Sequence, residues 1–167
     1  MVDFNSTPDH NGTIDVNPGG DVILDVVGYH GSSILIRVSS KALSQASPVF
    51  NAMFSSKFGG VNLGSKPVEF PEDNLGPLTL LLKIIQGRVD PSLEQLGFGT
   101  SRNLAHCDDE LNKFQGLAIV SNKYFCGRTI SKWAASCFGY LINGTTNSGA
   151  LARAALLAYA SGSPQAF

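Results

Sequence analysis

Two apolar runs, residues 22–27 (VILDVV) and 33–38 (SILIRV), separated by Gly28-Tyr29-His30-Gly31-Ser32, constrain this chain more than any other stretch. Each is short, rich in Val, Ile and Leu, and bounded by residues that tolerate turn dihedrals, so the pair predicts a β-hairpin. In the second run Ile34, Ile36 and Val38 share one face while Leu35 and Arg37 share the other. At least one face of the hairpin is therefore committed to burial, and whatever follows must cover it.

The residues that follow supply the cover. Ser40 is placed to cap a short helix through Ala42 to Ala46, and Ser47-Pro48 starts a second, because a serine oxygen accepts free N–H groups and Pro at the first helical position needs no donor. Val49, Phe50, Met53 and Phe54 then form a compact apolar stripe. A third strand is expected at Val68 to Phe70, ended by the turn-and-cap cluster Pro71-Glu72-Asp73-Asn74. The helix after it runs to Gln86, carries Leu78, Leu81, Leu82 and Ile85 at helical spacing, widened by Leu80 and Ile84, and stops at Gly87. Residues 88–107 read as a long irregular connection. Asp108 opens the next helix, which carries Leu111, Phe114, Leu117, Ala118 and Ser121 to Tyr124 and ends at Gly127. Ile130, Trp133, Ala134, Cys137, Phe138 and Leu141 mark a further one, and 149–160 an Ala- and Leu-rich last one. Residues 1–20, polar and rich in Asn, Asp, Pro and Gly, read as a flexible leader. The division expected is a leader over 1–20, a domain over 21–127 and a helical extension over 128–167.

Few residues suggest chemistry. Twelve Lys and Arg against thirteen Asp and Glu give a net charge of −1, which provides no basic field for a nucleic acid. Charged residues make up 15% of the chain, below the roughly 25% usual for globular domains, and a sparsely charged surface favours association. No apolar run reaches the length of a membrane span, and the first residues lack a secretory pattern, so an intracellular protein, cytoplasmic or nuclear, is expected. Cys107, Cys126 and Cys137 fit neither a disulfide framework nor zinc-ligand spacing and read as reduced thiols. His10, His30 and His106 have no partner at ligand spacing, and no G-x-S-x-G elbow is present. The GGVNLGSK stretch at 59–66 approaches a phosphate-binding loop, but Ser65 and Lys66 stand in reverse order and a strand follows where a helix is needed. Glu72-Asp73 and Asp108-Asp109-Glu110 sit at expected helix starts and read as capping residues, and Tyr124 and Trp133 as packing anchors. No catalytic residue, metal or cofactor is expected.

Four stretches in order resemble a BTB/POZ domain, in particular the small versions abundant in filamentous fungi. They are residues 21–26 (DVILDV), 36–43 (IRVSSKAL), 47–54 (SPVFNAMF) and 68–73 (VEFPED), and 117–126 (LAIVSNKYFC) with 132–134 (KWA) resembles that group's closing helix. The resemblance spans about 20–135 and implies an α+β fold, a sheet of three to five short strands capped by helices, acting as a protein-interaction module without a catalytic centre. Its dimerisation surface corresponds to 21–27 and 40–54, which makes Val22, Leu24, Val26, Leu43, Val49, Phe50, Met53 and Phe54 candidate contacts with a second copy or another protein, and Phe58 just beyond them is a further candidate. A sharper alternative is an adaptor for a cullin-type ubiquitin ligase, for which the family often uses a hydrophobic-x-Glu motif. The matching positions are Phe58-Gly59-Gly60, with glycine in place of the acid. An enzyme or small-ligand carrier using the 88–107 loop is the reading from another class.

Overall fold

The computed structural model describes residues 12–27, 31–55, 66–89 and 115–133. In chain order these hold β1 (Thr13–Asp15), β2 (Val22–Val27), β3 (Ser33–Val38), α1 (Ser40–Ala46), α2 (Pro48–Phe54), β4 (Val68–Phe70) and α3 (Leu75–Ile85). Two further helical stretches, α4 over 115–123 and α5 over 127–133, follow. The fold is mixed α and β, with a four-stranded sheet in the order β1-β3-β2-β4.

The hairpin is present: β2 and β3 pair antiparallel, with Leu24 opposite Ile36 and Val26 opposite Ile34. β4 adds in parallel on β2, setting Leu24 beside Val68 and Val26 beside Phe70. Because side chains alternate along each strand, Ile14, Ile36, Leu24 and Val68 form one row across all four strands. Ile36, Leu24, Val26 and Val38 are fully buried, so this is the face that the helices cover.

The sheet also corrects the expected leader. Thr13–Asp15 pairs in parallel with β3, and Ile14 and Val16 enter the core. The strand is too short and polar to be read from propensity; its conformation comes from tertiary pairing. On the outer face Arg37 Nε meets Asp15 at 2.9 Å. The chain then turns tightly: Asn17 N–H donates to the Arg37 carbonyl, Gly20 N–H to the Asn17 carbonyl, and Gly19 N–H to the Asn17 side chain. Gly20 cannot be replaced at this bend, since a Cβ would stand 2.3 Å from the Val38 carbonyl oxygen. The Asn17 amide donates to Gln86 Oε1, and the Gln86 amide to the Ser39 carbonyl, tying the turn to the end of α3 and the start of α1.

The helix starts follow serine chemistry with one shift. Ser39, not Ser40, caps α1, its side chain accepting from Ala42 N–H. Ser40 is the first helical residue, buried, and donates its N–H (2.8 Å) and hydroxyl (2.6 Å) to the two oxygens of Asp21. Ser47 caps α2 with Pro48 at its first position, accepting from Val49 and Phe50 N–H groups at 3.1 Å each. Asn74 caps α3 through Gly76 N–H, and its apolar residues Leu78, Leu80, Leu81, Leu82 and Ile84 are buried. α3 closes with Gly87 at φ +65°, where Gly87 N–H meets the Ile84 carbonyl and Arg88 N–H the Lys83 carbonyl. This is the left-handed helix terminus that favours glycine.

The second helix terminus differs from expectation. α4 does not run to Gly127: Phe125 turns it at φ +52°, with Phe125 N–H on the Asn122 carbonyl and Cys126 N–H on the Ser121 carbonyl. The hydrogen-bond pattern is the one seen at Gly87, with a bulky residue at the strained position. Gly127 begins α5 instead. Residues 1–11, 90–114 and 134–167 lie outside the described residues, and with them most of the long connection, the Asp108 start and the last helix.

Candidate interaction site

Where α2, the β4–α3 turn and the end of α4 meet, the side chains converge on Tyr124. Its ring stacks on Phe50, with centroids 4.6 Å apart and planes 12° from parallel, and Phe70 packs against both. Phe54 also stacks with Phe50, with centroids 6.2 Å apart and planes 13° from parallel. Phe50 has no solvent exposure, so this aromatic column is the part of the core that joins helices to sheet.

The polar edge of Tyr124 is bound at both ends. Its hydroxyl donates to Asp73 Oδ2 at 2.6 Å, and its backbone carbonyl accepts from Ser47 Oγ at 2.5 Å. Lys123 Nζ donates to both oxygens of Asp73, at 3.1 and 3.0 Å, and lies 5.5 Å from the Tyr124 ring centroid. Asp73 therefore serves across 50 residues of chain rather than as the cap expected of it, which Asn74 provides. Its carboxylate is almost wholly enclosed, and an enclosed carboxylate needs these donors. Burial, joined by the hydrogen bond and charge of Asp73, holds the Tyr124 hydroxyl far above the ordinary tyrosine range. At neutral pH it is a fixed donor, not a base. Burial likewise pushes the Cys126 thiol up to about 11, against a smaller lowering by Ser47.

Beside this brace is an open notch of about 170 Å³. Met53, Phe70, Pro71, Glu72, Asp73, Lys123 and Tyr124 line it, and Glu69 borders it from a strand position whose side chain turns to the other face of the sheet with Asp25. Next to Tyr124 in sequence, Phe125 is 71% exposed; Ile119, on the outward side of α4, is 63% exposed.

The candidate contact residues divide sharply. Val22, Leu24, Val26, Leu43 and Phe50 are buried in the core and present no surface to a partner, so as contacts they are corrected. The alternation that marked them as apolar in sequence also turned them inward. Val49, Met53 and Phe54 are partly buried against the core, each retaining some outer surface. Phe58, with Gly59 and Gly60, lies outside the described residues, as do His10, His30, His106, Cys107, Cys137 and Asp108 to Glu110. Tyr124 and Trp133 are buried packing residues. Sequence reasoning missed Phe125 because the nearby Gly127 offered an easier stop, and Ile119 because it stood outside the apolar positions read on that helix and entered only within the stretch 117–126.

Among the described residues no group of three His, Cys, Asp or Glu side chains is arranged to hold a metal ion, and no helix is long and apolar enough to cross a membrane. No family model, curated protein or solved structure matches the chain.

Proposed function

We propose that this chain is a protein-interaction module of the BTB/POZ type that binds a protein partner, or a second copy of itself, through the corner around Phe125. The order strand, strand, two short helices, strand, helix, and the sheet in which β2 lies between β3 and β4, support the family reading. They do so together with the four stretches whose sequence resembles it.

Phe125 is the observation that carries the functional reading. A non-glycine residue in the left-handed region costs about 1–2 kcal/mol, and Gly87 occupies the equivalent position of α3 without that cost. An aromatic ring held there and left mostly in water does little for the folded monomer. Strained backbone of this kind is retained where the side chain has a use, and a ring buried on association is such a use. The contact face is thereby moved away from the opening strand, whose Val22, Leu24 and Val26 are inside the sheet core. The activity is binding, without catalysis, cofactor or metal.

The test is binding by Phe125→Gly and Ile119→Glu variants. Glycine relaxes the helix terminus, so the first variant folds and removes only the ring. Both variants should lose a partner, or a concentration-dependent increase in mass by light scattering, that the unchanged chain shows. Retention of full association by both would overturn the reading.

A further inference from the structure

The outward turn of Phe125 is set from the far end of α2, and we infer that Ser47 is the positioning residue that presents this ring to a partner. This inference rests on the interaction-module reading and adds what holds its contact residue in place. Ser47 is 1% exposed, and the one proton and both acceptor positions of its hydroxyl are committed. The oxygen accepts from Val49 and Phe50 N–H groups at 3.1 Å each, and the proton goes to the Tyr124 carbonyl, 77 residues along the chain. One hydroxyl thus starts α2 and closes α4.

Tyr124 is fixed at three points: its carbonyl by Ser47, its ring face by Phe50 and its hydroxyl by Asp73. On the other side, Cys126 is fully buried with its N–H on the Ser121 carbonyl. Phe125 joins these two anchored residues, and φ +52° is the conformation it takes between them. A phenylalanine without such anchors leaves the left-handed region, because its Cβ crowds the backbone there. Phe50 and Asp73 hold only the side chain of Tyr124, whereas Ser47 acts on the peptide group that leads directly into Phe125. That carbonyl belongs to the last turn of α4, where a helix leaves its acceptors without intrahelical partners. Its bond to the Ser47 hydroxyl, at 2.5 Å, is far shorter than its 3.6 Å contact with the weakly donating Cys126 thiol.

The experiment compares Ser47→Gly, Ser47→Ala and Ser39→Ala by NMR of the isotope-labelled full chain. Glycine is nearly as good a helix cap as serine, so Ser47→Gly removes the donor to Tyr124 at little cost to the start of α2. Ser39→Ala removes the cap of α1 and controls for destabilisation alone. The intraresidue cross-peak between the N–H and Hα of Phe125, strong where φ is positive, should persist in Ser39→Ala and weaken in both Ser47 variants. Association, measured as for Phe125→Gly, should fall at least about threefold in the Ser47 variants, since only the fraction presenting the ring binds. An unchanged cross-peak in Ser47→Gly, or an equal change in Ser39→Ala, would overturn the inference and leave the interaction reading standing. A weakened cross-peak with undiminished association would support the positioning by Ser47 and overturn the interaction reading. Should neither Ser47 variant fold, the unchanged chain decides: a Ser47 hydroxyl proton protected from exchange with water supports the inference, and one exchanging freely would overturn it.

Discussion

At the scale of single residues, Gly87 and Phe125 form a natural pair of controls. Gly87→Ala should destabilise the chain by about 1 kcal/mol, because the new side chain must adopt the left-handed conformation that Gly87 holds freely. Phe125→Gly should change stability by less than about 1 kcal/mol, relief of strain and the added freedom of the unfolded chain nearly offsetting one another. Urea unfolding measures both. Asp73 and Tyr124 are coupled directly, so in a double-mutant cycle Asp73→Asn and Tyr124→Phe should show an interaction energy of about 0.5–3 kcal/mol. Additivity within error would show that the 2.6 Å hydrogen bond contributes nothing. The half-exposed ammonium of Lys123 is screened by water, so Lys123→Met should cost less than either single change at the buried pair.

Among elements, the join between β2 and α1 is set by Asp21. Burial works against its ionisation, yet the hydrogen bonds from the Ser40 hydroxyl and N–H outweigh that and leave its carboxyl below the ordinary 3.8. The folded state therefore binds this proton less readily than the unfolded one. Its contribution is present above the ordinary carboxylate range and is lost as pH falls through the lowered value. Asp21→Asn should accordingly be less stable than the parent at neutral pH, and the difference should shrink as the acid limb is approached, read from unfolding midpoints across pH.

The elements also show what a sequence discloses. The hairpin, α2 and α3 were legible because their apolar residues repeat at the period of the element and Ser47-Pro48 and Asn74 carry explicit start chemistry. β1 was not, since three residues give no period and only Ile14 and Val16, two apart in a polar stretch, hinted at it. Ser39 and Ser40 are chemically equivalent as caps, and only Asp21, 19 residues upstream of Ser40, decides between them. The Asp73 brace joins residues 50 and 51 apart and has no local signature. Apolar character found the core correctly but mistook five core residues for a contact face, because burial inside a sheet and burial against a partner ask for the same side chains.

For the whole molecule, the aromatic column of Phe54, Phe50, Tyr124 and Phe70 is the joint between sheet and helices. Phe50→Ala should cost about 3–5 kcal/mol, enough to unfold a marginally stable domain. Cys126 reports on the same joint. With its thiol held near 11 in the folded state, it should resist alkylation at neutral pH until the domain opens. Since the folded value is raised above the ordinary 9.0, the linked stability is complete below pH 9 and declines as pH rises towards 11. The described surface, by contrast, offers a strained, exposed ring at one corner. The measurement that tests the central claim most directly is a side-by-side affinity purification of the unchanged chain and Phe125→Gly, with quantitative mass spectrometry of what each retains. The account predicts at least one protein, a second copy of the chain included, that is retained by the first and lost by the second. Indistinguishable profiles from two equally folded proteins would contradict it.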